Sequence, residues 1–152
     1  MLCARSLIIT WGEDPRYWKW FPLQETSNIQ IRVAALLNVC WLEIHGRLEI
    51  SCLTPETTYE AAFIVMINHT SYGWNVPVNL GLEDGEGKVQ RQVASLMDKP
   101  RGEWIELKVG EFKTSREAGS NGKEVKVSLF EYDGGAWKNG LVVKGIRVRP
   151  KK

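Results

Sequence analysis

Between Thr58 and Asn68 the chain reads TYEAAFIVMIN, with Tyr59, Ala61, Phe63, Val65 and Ile67 at alternate positions and Ala62, Ile64 and Met66 between them. Successive side chains of an extended strand point to opposite faces, so this spacing lines one side with five apolar groups. The apolar residues in between make the second face fit for burial too, which marks a central strand and the best candidate for the core.

The same alternation, weaker, recurs along the chain. It predicts strands at Ser6 to Trp11, Ile29 to Leu36, Val76 to Leu82, Val89 to Leu96, Glu103 to Val109, Val125 to Tyr132 and Leu141 to Val148. Cys40 to Ile50 reads as one long strand or two, broken near Gly46, and only Arg32 to Val39 is open to a short helical reading. Turn chemistry separates these runs at Asp84-Gly85, Lys99-Pro100-Arg101-Gly102, Asn121-Gly122 and Asp133-Gly134-Gly135, and Lys113 to Lys123 reads as one exposed loop. Many short strands punctuated in this way predict an all-β, antiparallel, jelly-roll-like sandwich, not a parallel sheet with crossover helices. With no repeat and no linker, residues 1–152 read as a single domain.

Composition narrows the function. A net charge of +2 is too mild for a nucleic-acid footprint, and Arg147 and Arg149 alternate with Val148 as on the wet face of a last strand. Cys3, Cys40 and Cys52 are few, odd in number and not at metal-ligand spacing, so they predict reduced thiols, with Cys40 and Cys52 packed as small apolar groups. The amino-terminal MLCARSLIITW lacks a secretory apolar core and cleavage site, and no run is long enough to span a membrane. These features predict no signal peptide, no membrane insertion and a cytoplasmic location, in which the Asn68-His69-Thr70 triplet is incidental.

Only two histidines, His45 and His69, are available as bases, and neither is accompanied by a nucleophile elbow, a P-loop or zinc spacing. No enzyme and no cofactor are expected. Tryptophan is the compositional outlier, with seven residues. In LIITWGEDPRYWKWFP, Trp11, Tyr17, Trp18 and Trp20 crowd around the turn formers Gly12, Asp14 and Pro15. Large rings beside charged groups suit sugars, because the C–H face of a pyranose lies on a ring while its hydroxyls find polar partners. Trp18 and Trp20 share a parity and form either a stacking platform or a plug for one end of the core.

Several blocks then resemble the Nictaba-like, or phloem protein 2, family of plant lectins: ITW followed by YWKW, then VAALLNVCWLEIHGRLE, GEWIELKVGEF and AWKNGLVVKGIRVRP, in family order over nearly the whole chain. The resemblance implies a noncatalytic, dimeric lectin of phloem sap and the nucleocytoplasm that recognises chitooligosaccharides and the N-acetylglucosamine (GlcNAc) core of N-glycans. Related copies are fused to F-box segments, and the family's lysine-rich nuclear-targeting stretch has no counterpart in Val76 to Arg101. Position by position, the resemblance implies sugar-binding roles for Trp11, Trp18, Glu124 and Glu131, and places Trp137, Lys138 and Asn139 on a loop near the ligand. Tyr17 and Trp20 complete the expected sugar site.

Glu124 and Glu131 differ by an odd number of residues, so an unbulged strand sends them to opposite faces. Glu131 follows Val125, Val127 and Leu129 on one parity, so its carboxylate ends an apolar face and is ion-paired, hydrogen-bonded or at a binding rim. A rival reading is an RNA-carrying or protein-interaction module of phloem that stacks bases on the same aromatics. A third is a glycosidase acting through paired carboxylates, in which Glu131 would be essential.

Overall fold

The computed structural model describes residues 2–114 and 123–151, and the expected loop over Lys113 to Lys123 lies for the most part outside them. Eleven strands and two single-turn 3-10 helices, Ala4–Ser6 and Ile50–Cys52, make up the described elements. The strands are β1 Leu2–Cys3, β2 Ile8–Ile9, β3 Trp18–Gln24, β4 Gln30–Leu36, β5 Leu42–Glu49, β6 Thr58–Tyr72, β7 Val78–Glu83, β8 Val89–Ala94, β9 Trp104–Lys113, β10 Glu124–Glu131 and β11 Asn139–Pro150.

They form two antiparallel sheets facing each other, as the alternation predicts. One runs β3-β4-β11-β6-β9, with β1 attached to β11, and the other runs β2-β5-β10-β7-β8. The core lies between them. Tyr59, Ala61, Phe63, Val65 and Ile67 of β6 all turn inward, against Leu42 and Ile44 of β5, Leu80 and Leu82 of β7, and Val125, Val127 and Leu129 of β10. Both neighbours of β6 are bulged against it, at Val143/Gly145 of β11 and opposite Ala61/Ala62 on β9, and each bulge resets the inward parity of the neighbour.

Several expectations need correction. The Ser6 to Trp11 segment is strand only at Ile8 and Ile9, because Ala4–Ser6 turns as a 3-10 helix and residues 10–13 form turns. Arg32 to Val39 holds no helix; Gln30–Leu36 is a strand between β3 and β11. β5 is unbroken at Gly46, where a Cβ would lie 2.4 Å from Ile146 Cδ1 and 2.9 Å from Leu7 Cδ2. That glycine makes room for two core side chains. β6 runs on past Asn68 to Tyr72 and so includes His69. Cys52 is exposed and Cys40 only half-buried, so neither is a core residue.

One seam of the sandwich is closed by side chains. Gln92 of β8 donates from Nε2 to the carbonyls of Lys108 (2.5 Å) and Val109 (2.8 Å) of β9, and Gln90 donates to Glu111 O while accepting from Glu111 N. Side chains of the β8 edge thereby satisfy backbone groups of the β9 edge, which leaves less of the β9 backbone free to recruit a foreign strand.

Candidate functional site

The outer face of the β2-β5-β10-β7-β8 sheet carries a trough across its strands, and register explains it. Three cross-strand rows face outward: Glu43, Phe130, Asn79 and Val93; then His45, Ser128, Gly81 and Arg91; then Arg47, Lys126, Glu83 and Val89. The middle row has its two smallest residues, Ser128 and Gly81, on the two central strands, so the face dips there. The resulting depression has a volume of about 260 Å³ and is open to solvent.

One wall is aromatic. Trp41 and Tyr132 stand just outside β5 and β10 and stack with centroids 4.2 Å apart and planes 10° from parallel, and Tyr132 stacks in turn on Phe130 at 5.5 Å. Trp41 stays 40% exposed, large for a tryptophan held in a stack. Phe130 and Tyr132 line the depression and Trp41 extends the stack from Tyr132, so apolar rings stand beside a polar floor, a combination suited to amphipathic rings.

The floor is one hydrogen-bonded chain. Ser128 Oγ lies 2.8 Å from His45 Nδ1, His45 Nε2 lies 2.8 Å from Glu43 Oε2, and Glu43 Oε1 accepts from Trp41 Nε1 (3.0 Å) and Thr10 Oγ1 (3.2 Å). The Trp41 indole N–H, then the His45 bond and more weakly Thr10, hold the Glu43 carboxyl below the ordinary glutamate value against the opposing effect of burial. The folded value being the lower one, the network's stabilisation is present above the ordinary range, about 4.3, and is lost as pH falls through the lowered value. A carboxyl NMR titration should place the Glu43 midpoint below that range, and Glu43→Gln should flatten the acid limb of the melting-temperature profile.

A serine, a histidine and a carboxylate in series invite comparison with a hydrolytic triad. Ser128 sits mid-strand between β5 and β7, however, where neighbouring backbone N–H groups are engaged in the ladders and do not converge on an oxyanion position. The arrangement holds polar groups at fixed positions along the floor. It is suited to binding.

The sequence of the whole chain identifies the relatives. The Phloem protein 2 family profile matches residues 1–150. The chain belongs to the phloem protein 2 family. Among curated members it is 41% identical to Protein PHLOEM PROTEIN 2-LIKE A1 of Arabidopsis thaliana and 43% identical to a protein named Lectin from Luffa acutangula, aligning in full with both. It spans 61% of the length of the first and 70% of the second. Two solved structures share the fold of this phloem protein 2 chain at low identity. A carbohydrate-binding module solved with β-1,4-galactotriose has a TM-score of 0.50 at 14% identity, covering 95% of this chain and 87% of its own. A tandem of two carbohydrate-binding modules from Paenibacillus barcinonensis has a TM-score of 0.51 at 15% identity, covering 99% of this chain and 43% of its own.

Within this phloem protein 2 fold the residues expected from sequence separate into three places. Trp11, Tyr17, Trp18 and Trp20 sit where the chain crosses from β2 in one sheet to β3 in the other. Trp18 is 2% exposed and lies opposite Leu36 on the inward face, with Trp20 beside it opposite Ala34. Trp20 donates its indole N–H to Gly12 O (2.7 Å) and is covered by the Arg5 guanidinium at 3.9 Å. Trp11 and Tyr17 remain at the surface, their rings 5.1 Å apart, with Trp11 46% exposed and in a left-handed conformation (φ 62°) that a tryptophan adopts only under constraint. Trp11 directly follows Thr10, a member of the floor network.

Glu124 is exposed and pairs with Glu49 at the far end of β10, while Glu131 is turned inward and buried, as an unbulged strand requires. Lys138 is also buried, and Asn139 begins β11, donating from Nδ2 to Leu37 O (2.7 Å). Sequence reasoning missed Trp41, Glu43, Ser128, Gly81, Phe130 and Tyr132. For two of these a signal was present in WLEIH, where Trp41 and Glu43 share one parity of a strand with His45.

Proposed function

We propose that this chain is a noncatalytic lectin that binds GlcNAc oligomers in the trough on the outer face of the β2-β5-β10-β7-β8 sheet. The observation that carries the reading is one open depression of sugar-ring dimensions in which Phe130 and Tyr132, with Trp41 stacked on Tyr132, stand beside a preorganised polar floor. The relative from Luffa acutangula bears the name Lectin, which supports it. A pyranose ring lies with its C–H face toward Trp41, Tyr132 and Phe130, and its hydroxyls meet Ser128, His45 and Arg91. The acetamide N–H is a donor for Glu43 or Glu83, and Trp11 with Tyr17 extends the surface to a further sugar unit. In this reading Trp18, Trp20, Glu131 and Lys138 support the site from within.

A site this open binds short oligomers at about 1 mM to 1 μM, or roughly 4–8 kcal/mol. A homodimer presenting two troughs raises avidity on a polyvalent glycan by about 10² to 10⁴ without new contacts. Calorimetric titration of chitotriose into the wild type and Trp41→Ala, at low and high salt and with cellotriose as the control lacking acetamides, tests the reading. Binding that ignores salt, discriminates against cellotriose and weakens in a folded Trp41→Ala protein is expected. A folded wild type that produces no heat removes the lectin reading, and steep salt dependence with an oligonucleotide would transfer the aromatic wall to RNA.

A further inference from the structure

Behind the aromatic wall lies a charge pair that no ligand reaches. Lys138 Nζ is completely buried and sits 3.2 Å from Glu131 Oε1, whose residue is 4% exposed. The ammonium protons are aimed elsewhere: Nζ donates to Ala136 O at 2.8 Å and to Cys40 O at 3.3 Å. The carboxylate's other oxygen accepts from Gly134 N at 3.4 Å. The Lys138 backbone is bridged to the same segment, with Lys138 N to Val39 O at 2.7 Å and Val39 N to Lys138 O at 3.0 Å.

The identities of the clamped residues matter. Cys40 immediately precedes Trp41, Ala136 immediately precedes Trp137, and Glu131 immediately precedes Tyr132. Trp41 and Tyr132 are the stacked pair of the wall, and Trp137 is a further exposed tryptophan on the adjoining turn. Carbonyl oxygens of two separate loops and the end of β10 thus converge on a single ammonium. A buried charge held by one carboxylate and two carbonyls permits little play in any of the three segments, because displacing one leaves a charge or an acceptor unsatisfied.

We propose that Glu131 and Lys138 form a positioning pair that fixes the Trp41–Tyr132 wall and the Trp137 turn from beneath, acting on the ligand only through those rings. Lysine is required at 138 as a donor to both loops, and glutamate at 131 as its counter-charge. The sugar-binding half of this inference rests on the trough being the lectin site; the positioning half does not.

The test replaces both members with apolar groups of similar size, Glu131→Leu together with Lys138→Met, which removes the clamp without stranding a buried charge. Near-UV circular dichroism of the free protein reads the Trp41–Tyr132 stack, identified as the band lost in Trp41→Ala. The double variant is expected to melt cooperatively, to lose most of that band and to bind chitotriose about tenfold or more weakly, as misplacement of a preorganised contact does. A double variant with the band and the affinity both intact reduces the pair to packing and overturns the inference. Loss of the band in a protein whose wild type binds no chitotriose keeps the positioning role and sinks only the sugar reading. A second measurement needs no variant: on brief acetylation of the wild type followed by peptide mass spectrometry, Lys138 should stay unmodified while exposed Lys19 and Lys88 react. Acetylation of Lys138 as fast as Lys19 would overturn the clamp directly.

Discussion

Leucine in place of Gly81 should abolish chitotriose binding while leaving the melting temperature nearly unchanged. The residue sits on the outward face of β7, between buried Leu80 and Leu82, whose side chains point the other way. A Cβ built there meets nothing closer than Gln90 O at 3.9 Å and Ser128 Cβ at 4.0 Å, which is ordinary contact. Its backbone is not in the left-handed region that favours glycine. A larger side chain is therefore tolerated by the strand, and replacing a strand glycine removes an entropic cost of folding. The only space the side chain can fill is the trough.

Occupying the floor beside Ser128 excludes a sugar ring from the polar groups and the aromatic wall together. The loss should approach the whole interaction, about 4–8 kcal/mol, and titration should return only heats of dilution. Gly81→Ala, with a single methyl at normal contact distance, should retain measurable binding. Full affinity in a folded Gly81→Leu protein would place the ligand elsewhere, with Trp11 and Tyr17 the next surface to probe.

How much of this could be seen in the sequence depended on whether the information was local. The strand β6 was legible because its burial on both faces is written in consecutive residues, and β10 because Val125, Val127 and Leu129 keep one parity through Glu131. The strand β3 was missed: Pro22, the turn formers ahead of it and its charged neighbours look like loop, and only pairing with β4 from Trp18↔Leu36 to Gln24↔Gln30 makes it regular. That pairing also decides which side Trp18 and Trp20 face. Parity alone says they point together, not that they point inward.

The trough was invisible for a stronger reason. His45, Ser128 and Gly81 are distant in sequence, and a serine and a glycine in separate strands signal nothing until register sets them side by side. A shift of one residue in either pairing would turn these groups into the core. The same holds for Lys138, which reads as a surface residue in a polar loop. Its burial follows from the bridge with Val39, a contact between segments about a hundred positions apart.

That buried lysine is where the largest loss of stability is expected. Lys138→Met alone leaves the Glu131 carboxylate at 4% exposure with no cation beside it, and leaves the carbonyls of Cys40 and Ala136 without their donor. Breaking one side of a buried pair typically costs about 3–5 kcal/mol, a large part of the 5–15 kcal/mol that holds a domain of this kind together. Urea unfolding should show the midpoint falling sharply at a nearly constant slope, since the core between the sheets is untouched. Adding Glu131→Leu should recover much of the loss, because the stranded charge, and not the missing attraction, dominates the cost. The coupling in this double-mutant cycle measures that penalty, and it should far exceed the coupling for an exposed pair such as Lys123 with Glu86, 3.0 Å apart, where water screens both charges. Equal stability of the single and double variants would mean that the carboxylate had found water or another donor, and that the two charges do not depend on each other for burial.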